Sequence, residues 1–298
     1  MDLRRIVTAI VLLSLARCGG GEKKPEGESG GPPARRDGQV RSFDGVPIAY
    51  TAAGSGEGAL LFIHGWACDR QYWSAQIDTF AAGQQVIAVD LAGHGDSGRG
   101  RAEWTIESLG RDVQAVVSAL DLPSVVLIGH SMGGLVALEA ARLMPDRVVG
   151  VIGVDALHDA GWQVDPAALA ELLAGLREDF AGRCRDLVKP LFLEDADPEL
   201  VEEVTADMCD APPEIAIELF ARAQNHNLGA ALAAVRVPVR AINGSVAPTR
   251  IEANREYDPD FDALVMEGVG HFPMLERPAE LDRLIERVIE ELTAGSTI

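Results

Sequence analysis

The chain has 298 residues, 47% of them hydrophobic and 24% charged, which suffices for a full core and suits one large α/β unit carrying an insertion. A formal net charge of -20 argues against electrostatic binding to nucleic acid and against a polyanionic substrate, since both need clustered Lys and Arg. The six histidines are scattered and neither C-x-x-C nor H-E-x-x-H occurs, so no metal site and no cofactor are expected.

At the start, Arg4 and Arg5 precede an apolar run, Ile6 to Leu15, too short to span a bilayer and suited to the hydrophobic part of an export signal. It leads into Leu15-Ala16-Arg17-Cys18-Gly19, which resembles the lipobox of bacterial lipoproteins, with Arg17 where that pattern has a small residue. The resemblance implies a signal segment over 1–18 and an exported protein, either membrane-anchored through lipidation of Cys18 or free in the periplasm or outside the cell. An ordinary disordered N-terminus is the alternative. Residues 19–38, rich in Gly, Pro, Glu and Lys, read as a flexible linker. Of the remaining cysteines, Cys68, Cys184 and Cys209, the last two either bridge in an oxidising compartment or are buried singly as small apolar residues.

From Val40 short β-like runs alternate with longer helical ones, the order of a parallel sheet covered by helices. A hairpin is expected first, with Asp44-Gly45 turning between Gln39–Phe43 and Val46–Thr51. Strands follow at Ala59–Ile63, Gln85–Asp90, Ser124–Gly129, Arg147–Val154, Val237–Ile242 and Ala263–Met266. The clearest helix is Ile106 to Leu120, whose apolar residues recur at helical spacing behind a Thr105 cap. Others run from Leu135 to Met144, closed by Pro145, and from Ala279 to Leu292 after Pro278. Residues 158–234 interrupt the alternation with helical patterns only and read as an inserted helical cap, which leaves 39–157 and 235–298 as the core.

Gly129-His130-Ser131-Met132-Gly133 matches G-x-S-x-G, a pattern that is weak alone. Its context is stronger: the apolar strand Val125–Ile128 runs straight into it and a helix starts directly after, so Ser131 sits on a sharp strand-to-helix turn at a helix N-terminus. A nucleophilic serine needs a base, and His271, late in the chain in a loop between a strand and a helix, is the histidine placed to reach it. His130 should point away from Ser131, and His64 and His94 should stabilise their own loops. The backbone N–H groups of Met132 and Trp66 are the expected donors to a developing oxyanion.

Taken together, four segments resemble the α/β-hydrolase fold family over nearly all of residues 39 to 295: His64-Gly65-Trp66, Asp90 to Ser97 as D-x-x-G-x-G-x-S, the Ser131 pentapeptide, and Gly270-His271-Phe272-Pro273 with Glu276-Arg277-Pro278. The resemblance implies a mostly parallel central sheet flanked by helices, and Ser131 with His271 as nucleophile and base. It also implies an acid. In the commonest arrangement that acid follows the strand before the last, where this chain has Ala247. Some relatives carry it at the end of the strand after the nucleophile helix, the place of Asp155, to which the acid is assigned here; Asp159 is the second choice, and a dyad of Ser131 and His271 with no third member is the other alternative.

The activity so implied is cleavage of a carboxylic ester or related acyl bond in a small apolar substrate, through an acyl-enzyme on Ser131. Perhydrolase, carbon–carbon bond hydrolase and lactone-opening activities share the machinery, whereas the family's dehalogenases and epoxide hydrolases use an Asp nucleophile. Ala247 keeps open a catalytically impaired binding protein of the same fold. The insertion should roof the pocket, with Trp162, Phe180, Phe192, Leu193 and Phe220 either lining it or forming the cap's own core.

Overall fold

A computed structural model describes residues 34–56 and 58–294; the reading of residues 1–33 as signal and tether lies outside them. Eight strands form one sheet in the order β1-β2-β4-β3-β5-β6-β7-β8. Its centre is built from β3 (Ala59–Ile63), β4 (Gln85–Val89), β5 (Val125–His130) and β6 (Val148–Val154), nearly every residue of which is buried. Continuous apolar runs of this kind, without polar alternation, belong to parallel strands covered on both faces. β7 (Val239–Asn243) and β8 (Asp262–Val265) extend the parallel pairing at one side.

At the other side β2 (Pro47–Ala53) runs antiparallel to both β1 (Arg36–Arg41) and β4. The turn between β1 and β2 lies at Asp44-Gly45 as expected, with Gly45 at φ 83°. β1 begins earlier than the hairpin pattern suggested, inside the stretch that composition assigned to the linker, because Arg36, Asp37 and Gly38 pair with Ala52, Thr51 and Tyr50.

Helices α1 (Ser74–Phe80), α2 (Ile106–Ala119) and α3 (Met132–Leu143) connect the first strands. α2 starts with a capping box in which Thr105 Oγ1 accepts from Ser108 N–H and Ser108 Oγ accepts from Thr105 N–H. Between β6 and β7 come α4 (Pro166–Glu178), α5 (Phe180–Val188), α6 (Pro198–Met208), α7 (Pro213–Gln224) and α8 (Leu228–Ala234), with no strand among them. A disulfide joins Cys184 of α5 to Cys209 at the end of α6. After β7 follow α9 (Ile251–Arg255), α10 (Pro273–Glu276) and α11 (Pro278–Ala294), the last packing on α1, β6 and β7. No helix among the described residues is long and apolar enough to cross a membrane.

One ionic network is buried where the β1–β2 turn meets α2. The Arg101 guanidinium, 2% exposed, donates to Asp112 at 2.5 and 3.0 Å and to Asp44 at 2.8 Å. Asp112 also accepts from Ser42 Oγ at 2.5 Å, so it is satisfied although fully buried. Without Asp112 the buried Arg101 keeps only Asp44 as a carboxylate partner, so Asp112→Ala is expected to cost about 2–3 kcal/mol in urea unfolding. A loss below about 1 kcal/mol would mean that Arg101 can turn out to solvent.

Candidate active site

β5 ends at His130 and α3 begins at Met132, so one residue, Ser131, makes the whole reversal between strand and helix. It does so at φ 51° and ψ -119°, a conformation that a residue with a side chain adopts only when its surroundings enforce it. The enforcement is visible. Ser131 N–H donates to Val154 O at 3.1 Å and Gly134 N–H to Ser131 O at 2.9 Å. A Cβ on Gly129 would stand 2.2 Å from Gly133 O, and one on Gly133 would stand 2.5 Å from the carbonyls of Ile63 and His64. The two glycines of G-x-S-x-G are therefore where the backbone packs on backbone.

The same contacts set the His64-Gly65-Trp66 loop beside the serine, where a Cβ on Gly65 would lie 3.3 Å from Ser131 Cβ. The turn is closed by Cys68 N–H on Gly65 O, and by Ala67 N–H on His94 Nε2 at 3.3 Å. His64 and His94 hold their own loops through Nδ1, at Gly65 O and Ala92 O, and also tie the two loops together: His64 Nε2 accepts from Leu91 N–H at 3.0 Å, and the rings lie 4.8 Å apart. Met132 N–H opens a helix and so has no carbonyl within it to bond. The Trp66 side chain reaches the insertion, its indole N–H donating to Ala216 O of α7 at 2.7 Å. Asp90, which opens the D-x-x-G-x-G-x-S turn, accepts from the backbone N–H of Arg70 and of Asp96, both at 2.8 Å, and pairs with the Arg70 guanidinium.

His271 lies in the loop between β8 and α10, and its backbone is held from three directions. Its N–H donates to Leu191 O at 2.9 Å, its carbonyl meets His130 Nε2 at 2.8 Å, and Glu276 takes the N–H of Gly270 and of Phe272 at 2.8 and 3.0 Å. The Glu276 carboxylate thus clamps the peptides on both sides of the histidine, a role that its place in the Glu276-Arg277-Pro278 segment does not announce. The His271 side chain pairs through Nδ1 with Asp155 Oδ2. Among the described residues Ser131 Oγ makes no hydrogen bond to His271, a contact that in resting active sites often tightens only with substrate.

Asp155 follows β6 directly, at φ 42°, and its N–H donates to Ile242 O. Its other oxygen, Oδ1, accepts from Gly244 N–H at 2.7 Å. The end of β7, which carries no acid of its own, thus grips the acid that β6 supplies. Asn243, fully buried, accepts from Ala156 N–H through Oδ1 at 3.0 Å. Asn254 of α9 donates to Leu157 O and accepts from Ala160 N–H, both at 2.7 Å. Burial opposes the charged form of Asp155, but contacts with His158 and His271 outweigh it and hold the carboxyl far below the usual carboxylate range. Asp159 takes no part: its Oδ1 accepts from Gly161 N–H, and Ala247 lies exposed in the next loop.

Of the aromatic residues read from the insertion, Phe180 and Phe220 stand edge-on to Trp66, and Phe192 stacks on Phe272 with centroids 5.0 Å apart. Leu193 is half-buried, and Trp162 is exposed and away from this cluster. Within the insertion itself is an open groove of about 540 Å³, lined by Phe192, Lys189, Leu193, Val201 and Glu202 among others.

A model of the alpha/beta hydrolase family matches residues 60–284. The chain belongs to this family. It is 27% identical over 248 residues to the dihydrolipoyllysine-residue acetyltransferase component of an acetoin cleaving system from Pseudomonas putida, covering 78% of this chain but only 64% of that protein. With 3-oxoadipate enol-lactonase 2 of Acinetobacter baylyi it shares 26% identity over 253 residues, 82% of this chain and 94% of the other. Among solved structures, a thermophilic esterase from Thermogutta terrifontis is similar with a TM-score of 0.74 and 25% identity, over 87% of this chain and 99% of that one.

Three histidines around the site are neutral by burial. His64 is pushed down to about 4, and His94 and His130 to about 3, with the neighbouring imidazole adding to the effect in the last two. An unfolded chain takes up these protons near 6.5, so the stability they contribute is complete above that pH and is lost as pH falls through about 4 and 3. Asp69, raised by burial to about 6, offsets part of this between 3.8 and 6. We expect the thermal midpoint to fall steadily below pH 6.5, and His94→Gln to flatten that slope. An unchanged slope in the variant would show that His94 is already protonated in the fold.

Proposed function

We propose that the chain hydrolyses carboxylic esters of small apolar molecules through an acyl-enzyme on Ser131. The observation that carries this reading is the pairing of His271 Nδ1 with a buried Asp155 beside a serine in a strained strand-to-helix turn. In the first step Ser131 Oγ attacks the ester carbonyl and passes its proton to His271 Nε2, while Asp155 holds the ring and stabilises the imidazolium. The oxygen that becomes negative meets the N–H groups of Met132 and Trp66. The carbon–oxygen bond to the alcohol then breaks, and the alcohol leaves with the proton from His271. Water attacks the acyl-enzyme in the second step, giving its proton to the same nitrogen; the acid departs and Ser131 is restored.

The apolar rings of Phe180, Phe192, Phe220 and Phe272 around the site favour an apolar substrate. Lactone opening is the same chemistry on a cyclic ester, and the similarity to an enol-lactonase over 94% of that protein's length favours including lactones among the substrates tested.

With p-nitrophenyl esters of increasing chain length as substrates and a fluorophosphonate as probe, Ser131→Ala is expected to abolish both turnover and labelling. Asp155→Asn should lower kcat by roughly four orders of magnitude with little change in KM. Well-folded wild-type protein that is neither labelled nor active on any ester or lactone would favour the binding-protein reading. We further propose export and anchoring through Cys18, on the N-terminal sequence alone. The expected N-terminal mass is that of a chain starting at lipidated Cys18, and an unmodified chain starting at Met1 would overturn it.

A further inference from the structure

The carboxylate of Asp155 faces more partners than a serine–histidine–acid line uses. Oδ2 meets His271, while Oδ1 accepts from Gly244 N–H and lies 3.7 Å from Nε2 of a second imidazole, His158. His158 is fixed from both ends. Its carbonyl accepts from Arg250 N–H at 2.7 Å, and its ring Nδ1 lies 3.4 Å from Asn243 Nδ2.

The orientation of the Asn243 amide decides where the His158 proton sits. Its oxygen is the atom that takes Ala156 N–H, so its nitrogen is the donor end, giving one hydrogen to Thr249 Oγ1 at 2.8 Å and turning the other to His158 Nδ1. A ring nitrogen that receives a hydrogen carries a lone pair, so neutral His158 bears its proton on Nε2, the atom facing Asp155. At 3.7 Å this is an electrostatic contact, longer than a full hydrogen bond. It acts on a carboxylate only 3% exposed, where little water screens it.

We propose that His158 is a positioning residue for the ester hydrolysis inferred above: its Nε2–H holds Asp155 Oδ1 and draws negative charge away from Oδ2, which restrains the basicity of His271. The inference rests on that hydrolase reading. Without His158, Asp155 pulls harder on a protonated His271, so the base stays protonated to higher pH and the acid limb of the rate profile moves up. The other groups around the pair have the same surroundings in wild type and variant. His130, its ring 4.7 Å from His271, is neutral through burial; Glu276 is tied to the Gly270 and Phe272 amides; Asp159 is turned to Gly161; the Arg250 side chain is exposed.

The test is the second-order rate of inactivation by a fluorophosphonate from pH 5 to 9, measured on the full chain, with folding checked by circular dichroism. The reaction forms the Ser131 Oγ–phosphorus bond, expels fluoride and sends the serine proton to His271, so its acid limb reports the base without knowledge of the substrate. His158→Phe, which keeps a ring and loses the donor, is expected to slow inactivation about fivefold. It should also move the acid limb up by roughly half a pH unit, less than a full hydrogen bond to a carboxylate would give. His158→Gln, with a donor of similar reach, should bring the limb back towards wild type. His158→Asn, too short to reach Oδ1, should behave like the Phe variant and stands in for it if that chain does not fold. Limbs that coincide for wild type and His158→Phe, or His158→Asn in its place, overturn the role of His158. So does a shift that Gln shares in full, since the N–H is then not its cause. A wild-type chain that is not labelled at all overturns the hydrolase reading and this inference with it, an outcome separate from either.

Discussion

A serine at φ 51° costs on the order of 1–3 kcal/mol relative to an ordinary backbone, and nothing in Ser131 itself repays that. The strain persists because three glycines let chain segments approach more closely than any side chain allows: Gly129 against Gly133, Gly133 against the end of β3, and Gly65 against Ser131 and His130. Each of these approaches ties the serine turn to a different part of the molecule. The sheet centre, the start of α3 and the loop of Trp66 are thus placed by one constraint, and the rest of the candidate site is assembled around a turn that cannot relax.

The acid is handled in a comparable way by its neighbours. Asp155 and Leu157 both have positive φ, and the loop that contains them is held by Ile242, Asn243 and Gly244 at the end of β7 and by Arg250 and Asn254 just beyond. Asn243 is buried with its amide satisfied at both ends, which is how a polar side chain survives inside a core. β7 has changed its part in the site: it supplies the clamp where the family's commoner arrangement has it supply the acid. Glu276 serves the His271 loop with the same economy, one carboxylate fixing the peptides on either side of the ring.

Most of this fold is legible in the sequence because a strand covered on both faces is written as an unbroken apolar run, as in Ala59–Ile63 and Val125–Ile128. The antiparallel pairing of β2 with β4 is not, since a strand's residues do not say which way a distant neighbour runs, and the short helices α1, α9 and α10 are below the length at which periodicity speaks. In the site, Ser131 and His271 announce themselves through local spacing. Asp155 was legible only through resemblance, because its contact with His271 spans 116 positions. Asn243, His158 and the clamping role of Glu276 had no local signal that distinguishes them: each acts through a backbone or side chain far away or on the other side of a turn, and residue type alone does not say what it faces.

Trp66 joins two parts of the molecule that have separate tasks. Its backbone belongs to the loop pressed against Ser131, and its indole N–H is spent on a carbonyl of α7 in the insertion, with Phe180 and Phe220 set against its ring. Lifting α7 therefore breaks a hydrogen bond worth about 1 kcal/mol and wets an aromatic face that is now almost wholly covered. The seating of α7 and the shape of the loop beside Ser131 are thus read by one side chain, so a change in either is felt at the other.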